Sequence, residues 1–124
     1  MKVEVSNGEI VDKLTIIHIK LENISDTQKL VNLKAEYDVL SEAVKSIIPT
    51  NHPLYLELLD INKQLWDIED RIRELERQKD FGDEFIQVAR SVYFTNDKRS
   101  EVKRKINELT NSTIIEEKSY ESYS

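Results

Sequence analysis

Apolar residues recur along much of the chain at alternating steps of four and three, the mark of helices that bury one face. Ile10, Leu14, Ile17, Leu21 and Ile24 form the first such stripe, and Ile16 and Ile19 fall well off it. This predicts a first helix that is apolar on more than one side. Either it is central to a bundle, or it also meets another subunit or the later helices. Ser6 followed by Glu9 supplies a capping-box start. The residues before it, Lys2–Val5, alternate polar and apolar and read as a short extended arm. Ser25 or Asp26 ends the helix and caps a second, whose stripe is Leu30, Leu33, Tyr37, Leu40, Val44 and Ile47. Pro49 stops that helix, and Pro53 suits the first turn of a third, with Asn51 or His52 near its cap.

The third helix is the longest expected, about Leu54 to Lys79, with an unbroken stripe from Leu54 through Leu58, Ile61, Leu65, Ile68 and Ile72 to Leu75. A second line beside it, Tyr55, Leu59, Asn62, Trp66, Glu69 and Arg73, starts apolar and turns polar. Trp66 in that line reads as a core indole whose N–H finds a partner, or as a ring for stacking a ligand. Phe81-Gly82-Asp83 reads as a helix stop with glycine at the position after the cap, then a new start at aspartate. Phe85, Val88, Ala89 and Val92 mark a fourth helix; Thr95-Asn96-Asp97 is a further cap signal, and Val102, Ile106 and Leu109 mark a fifth. The expected fold is therefore all-α: an antiparallel helical bundle of three long helices plus a shorter C-terminal helix-turn-helix. One domain spans 1–124, with 1–6 as the arm and 113–124 as a tail that docks, pairs with the arm or is disordered. Ile16, Ile19 and the remaining aliphatic surface predict a homo-oligomer.

Composition narrows the chemistry. The chain of 124 residues has no cysteine, which removes disulfides, thiolate nucleophiles and cysteine zinc sites, and His18 and His52 are too few for a three-histidine metal site. His18 reads as a satisfied helix histidine and His52 as a cap or a solvated loop residue. The net charge of −6 argues against a nucleic-acid polymer as partner. No secretory signal is visible in Met1–Ile10, and apolar runs of two or three residues do not span a membrane. A cytoplasmic protein with no metal or other cofactor is expected.

Four stretches, SNGEIVDKLTI (Ser6–Ile16), LWDIEDRIRELE (Leu65–Glu76), DFGDEFIQVARSVYFTNDKRSEVKRKINELT (Asp80–Thr110) and EEKSY (Glu116–Tyr120), resemble a family of small proteins classed as a domain of unknown function. Members occur in bacteria and phages, alone or beside glycosyltransferases in surface-polysaccharide and lipopolysaccharide gene clusters. The resemblance implies an all-helical fold, carries over no catalytic residue, and leaves out Asp26–Asn51.

Two enzyme classes have partial counterparts among the residues. An all-α, Mg²⁺-dependent nucleotide pyrophosphohydrolase needs clustered carboxylates, for which Glu57/Asp60 and Asp67/Asp70, with Glu36, Asp38 and Glu42 opposite, are the candidates. An all-α chorismate mutase needs cations from several helices converging on a dicarboxylate, but Lys13 and Lys20 are the only ones in the first helix. The strongest polar concentration is instead Arg90, Tyr93, Asn96, Asp97, Arg99 and Lys103. Asn96–Lys105 carries five cations against two anions, and Arg99 and Lys103 would sit early in the fifth helix, where the helix dipole disfavours them. A ligand anion at that helix start would explain them. The expected function is non-catalytic binding of an anionic small molecule, a nucleotide or nucleotide-sugar, which in a phage would sequester a host nucleotide signal. Arg90, Tyr93, Asn96, Asp97, Arg99 and Lys103 form the first candidate site, and Trp66, Glu69 and Arg73 the second. The alternative is a scaffold for a protein partner such as a glycosyltransferase.

Overall fold

Four helices make up the regular structure of residues 1–123, which the computed structural model describes. They are α1 (Asn7–Asn23), α2 (Thr27–Lys45), α3 (Pro53–Arg77) and α4 (Asp83–Leu109), and no strand occurs among the described residues. Each start has a local cause. The Ser6 hydroxyl accepts from the Glu9 N–H at 3.1 Å, the Asp26 carboxylate from Lys29 at 2.9 Å, and the His52 Nδ1 from Leu54 at 3.0 Å, with Pro53 opening α3. No helix among the described residues is long and apolar enough to cross a membrane.

The turn between α3 and α4 differs from the expectation. Lys79, not a glycine, takes the left-handed position past the end of α3 with φ 54°, and Asp80 N–H closes back on the Leu75 carbonyl. Gly82 is the N-cap of α4 with φ −80°, and Asp83 and Glu84 fill the first turn.

The largest correction concerns Thr95-Asn96-Asp97. No break occurs there, and α4 runs through as one helix to Leu109. Asn, Asp and Thr inside a helix cost only a few tenths of a kcal/mol each. Against that stands one continuous packing stripe, Val88, Val92, Thr95, Arg99, Val102 and Ile106, in which Thr95, Val102 and Ile106 are buried. Three long helices followed by a helix-turn-helix thus become four helices, the last the longest.

Helix α1 packs against all three others, while α2 lies against α1, and α3 and α4 form a long hairpin. Val11 and Leu14 of α1 share a core cluster with Val44, Ile48, Tyr55, Leu58, Ile61, Val102 and Ile106. Ile16 and Ile19 face α3 and α4, one of the partners that the pattern allowed. At 1.5 Å per residue α3 and α4 are about 37–40 Å long and α1 only about 25 Å. The hairpin therefore continues past Asn23, where it buries Leu75 and is clasped by Arg71 to Glu84 at 2.7 and 2.6 Å. The groove described next lies where α1 gives out.

Candidate functional site

Helix α1 carries a second buried line besides its apolar stripe, and that line is largely polar. Gly8, Asp12 and Thr15 are buried at steps of four and three, ahead of Ile19. They face α4 and α3. The Arg99 guanidinium grips Asp12 with two hydrogen bonds, Nε to Oδ1 at 2.9 Å and Nη2 to Oδ2. Asn62 of α3 donates to Asp12 at 2.9 Å and to the Thr15 hydroxyl at 2.8 Å, and Thr15 donates to the Asp12 carbonyl at 2.7 Å. One turn away Lys103 pairs with Glu9 at 2.6 Å. At the base, the Gly8 N–H donates to Asn107 Oδ1 at 2.6 Å. Among the described residues no buried side-chain nitrogen or oxygen lacks a partner, so the network is complete. The Asp12 bonds hold the Arg99 guanidinium still further above its already high ordinary pKa.

This answers why Arg99 and Lys103 stand four apart on α4. They lie in mid-helix, where the dipole exerts little effect, and α1 supplies their counter-charges. The helix N-terminus on which an anion pocket was expected does not exist at Asn96.

Asn62 and Arg99 of this network also line a groove with a volume of about 540 Å³. Ile16 and Ile19 of α1, Asn62, Leu65, Trp66, Glu69, Asp70 and Arg73 of α3, and Val92, Asn96 and Arg99 of α4 line it. Trp66 and Arg73 of the second candidate site thereby join Asn96 and Arg99 of the first. Arg73 is exposed and holds Glu69 by a single bond of 3.2 Å.

Tyr93, Asp97 and Lys103 are drawn away from this groove. The tail after α4 folds back along that helix and meets both the arm and α4. Thr113 donates to Glu4 at 3.0 Å, and Glu116 accepts from Ser6 at 2.5 Å and from Asn107 at 3.4 Å. Farther on, Arg104 bonds Glu117 at 3.0 Å, and Asp97 takes Lys118 at 2.7 Å and the Tyr123 hydroxyl at 2.5 Å. The Lys118 ammonium, with the Tyr123 hydroxyl, holds the Asp97 carboxyl below the usual range, and Asp97 pushes the Tyr123 phenol up to about 12. The Tyr123 ring lies edge-on to Tyr93 and Phe94, and Arg90 stacks over Phe94 at 5.7 Å instead of reaching a pocket.

Sequence reasoning missed Asp12, Asn62 and Thr15. Among the described residues no three His, Cys, Asp or Glu side chains are grouped to hold a metal ion. A family model described as a family of unknown function, DUF6165, matches residues 1–123. No curated protein and no solved structure matches the chain.

Proposed function

The chain belongs to this family of unknown function, whose description assigns no chemistry, and we propose from the groove itself that it is a non-catalytic binding protein for a nucleotide or nucleotide-sugar. The observation that carries this reading is that Trp66, Arg73, Asn96 and Arg99, from two helices, line one groove of a size usual for small-molecule sites. Trp66 offers a face for a ring. Arg73 is free to trade its exposed bond to Glu69, an interaction worth at most about 1 kcal/mol, for a phosphate. Arg99 is held in place by Asp12, so its orientation costs the ligand little. Asp12 already neutralises Arg99, and Glu69 and Asp70 outnumber Arg73 in the lining, which favours a ligand with hydroxyl donors as well as a phosphate over a bare anion. A nucleotide-sugar combines both, and the setting beside glycosyltransferases that the resemblance implies supports that branch.

Trp66 is the only tryptophan, so its fluorescence reports on the groove directly. Titration with uridine diphosphate and uridine diphosphate glucose is expected to give a saturable change. Arg73→Ala is expected to weaken binding by about 1.5–3 kcal/mol, as for other charged hydrogen bonds. No change in fluorescence or thermal midpoint at millimolar nucleotide would overturn the reading. The second reading, a scaffold for a glycosyltransferase or a homo-oligomer, is supported by Val31, Ala35 and Val39, an exposed apolar line four apart on α2. Light scattering at micromolar concentration, alone and with the partner, tests it separately from the titration.

A further inference from the structure

We propose that the C-terminal tail is a closing strap, and that Lys118–Tyr123 forms the second half of the binding site, for a ligand with ring systems on both sides of a phosphate linkage. The inference rests on the reading of the groove above and adds to it the far end of the ligand.

The tail has no regular structure, and none of residues 113–123 is buried. Two posts hold it. Near its root, Glu116 is tied to Ser6 and Asn107, and Glu117 to Arg104. At its tip, Asp97 receives Lys118 and Tyr123, and the Tyr123 ring leans on Tyr93 and Phe94. Around these posts the tail and α4 border two open hollows of about 360 and 690 Å³.

The larger hollow is lined by Tyr93, Lys118, Tyr120 and Tyr123, and also by Val92 and Asn96, which line the groove as well. The two spaces therefore adjoin across Val92 and Asn96. One half offers Trp66 and Arg73, the other tyrosine rings and a lysine. A ring on Trp66, a phosphate linkage passing Asn96, and a second ring among the tyrosines would fill both. The tip is held by one ion pair, one hydrogen bond and two edge-on ring contacts, with Lys118 and Tyr123 themselves exposed; so few contacts open at little cost, and the strap can admit the ligand and close behind it.

Lys118 is the only Lys or Arg after Lys105, so trypsin cleavage there reads the state of the strap. The full chain is incubated with trypsin alone, with uridine diphosphate, and with uridine diphosphate glucose, while Trp66 fluorescence gives each affinity. Uridine diphosphate glucose is expected to bind about tenfold more tightly than uridine diphosphate and to slow cleavage at Lys118 far more. Tyr123→Ala is expected to speed that cleavage and to bring the affinity ratio near one. Equal affinities and equal protection in the full chain, or a ratio unmoved by Tyr123→Ala, would overturn the strap and leave the groove standing. If neither nucleotide perturbs Trp66, the groove reading fails and the strap falls with it.

Discussion

Asp12→Ala is expected to lower the unfolding free energy by about 3–5 kcal/mol, the range for breaking one side of a buried charge pair, as read from urea denaturation. The Asp12 side chain is 1% exposed and accepts two bonds from Arg99 and one from Asn62. Its removal leaves a guanidinium that is itself only 27% exposed without its counter-charge. Asn62 keeps Thr15 as its partner, so the loss falls chiefly on Arg99. Domains of this size are stable by about 5–15 kcal/mol, so the variant gives up a large share of the total. The cause can be separated from loss of volume. The double variant Asp12→Leu with Arg99→Met removes both charges and is expected to regain most of the stability, since well-packed apolar pairs often replace buried ion pairs without loss. If Asp12→Ala costs less than about 1 kcal/mol, the pair behaves as a surface salt bridge and the guanidinium is satisfied by water.

The same pair shows what the sequence could and could not reveal. The starts of α1, α2 and α3 were legible because each depends on a few adjacent residues: Ser6, Asp26, and His52 with Pro53. The continuity of α4 was not. Three cap-forming residues in succession, Thr95-Asn96-Asp97, mimic a helix start, and only the packing of Thr95, Val102 and Ile106 on other helices overrides them. The oddity of Arg99 and Lys103 rested on the false helix start at Asn96; in one continuous helix they are mid-helix cations whose counter-charges lie 87 and 94 residues away in Asp12 and Glu9. A usable signal was present. Acids at 9 and 12 on one helix match bases at 103 and 99 on another that runs antiparallel to it, and Gly8 opens the series opposite Asn107. Four of the eleven residues that line the groove, Trp66, Arg73, Asn96 and Arg99, stand out in the sequence as candidates, but on unrelated grounds. Trp66 and Arg73 came from the polar turn of one helix face, and Asn96 and Arg99 from a supposed cap. Only the crossing of α3 and α4 past the end of α1 brings them together, and no local pattern encodes which faces meet.

Gly8→Ala is expected to cost about 1–3 kcal/mol, the range for overpacking a well-packed core. The expectation runs against helix propensity, by which alanine improves on glycine by about 1 kcal/mol in a helix interior. Space decides the sign here. A Cβ on Gly8 would lie 2.5 Å from the Lys103 carbonyl oxygen, 2.9 Å from Asn107 Oδ1 and 3.1 Å from the Lys103 carbonyl carbon. Asn107 could rotate, although it would then give up its bond from the Gly8 N–H. The carbonyl belongs to the backbone of α4 and has no such freedom, so α1 and α4 would have to part. Their separation would stretch the Glu9–Lys103 and Asp12–Arg99 pairs, which hang on this crossing. Gly82 is the internal control. Its added Cβ would approach nothing nearer than 3.4 Å, so Gly82→Ala is expected to change stability by no more than about 1 kcal/mol, the usual size of a cap effect. Urea denaturation of both variants beside the wild type checks the pair. A neutral or stabilising Gly8→Ala would mean that α1 and α4 can slide apart freely. Arg99 would then not be held rigidly at the groove, and the preorganised guanidinium on which nucleotide binding is proposed to depend would be lost with it.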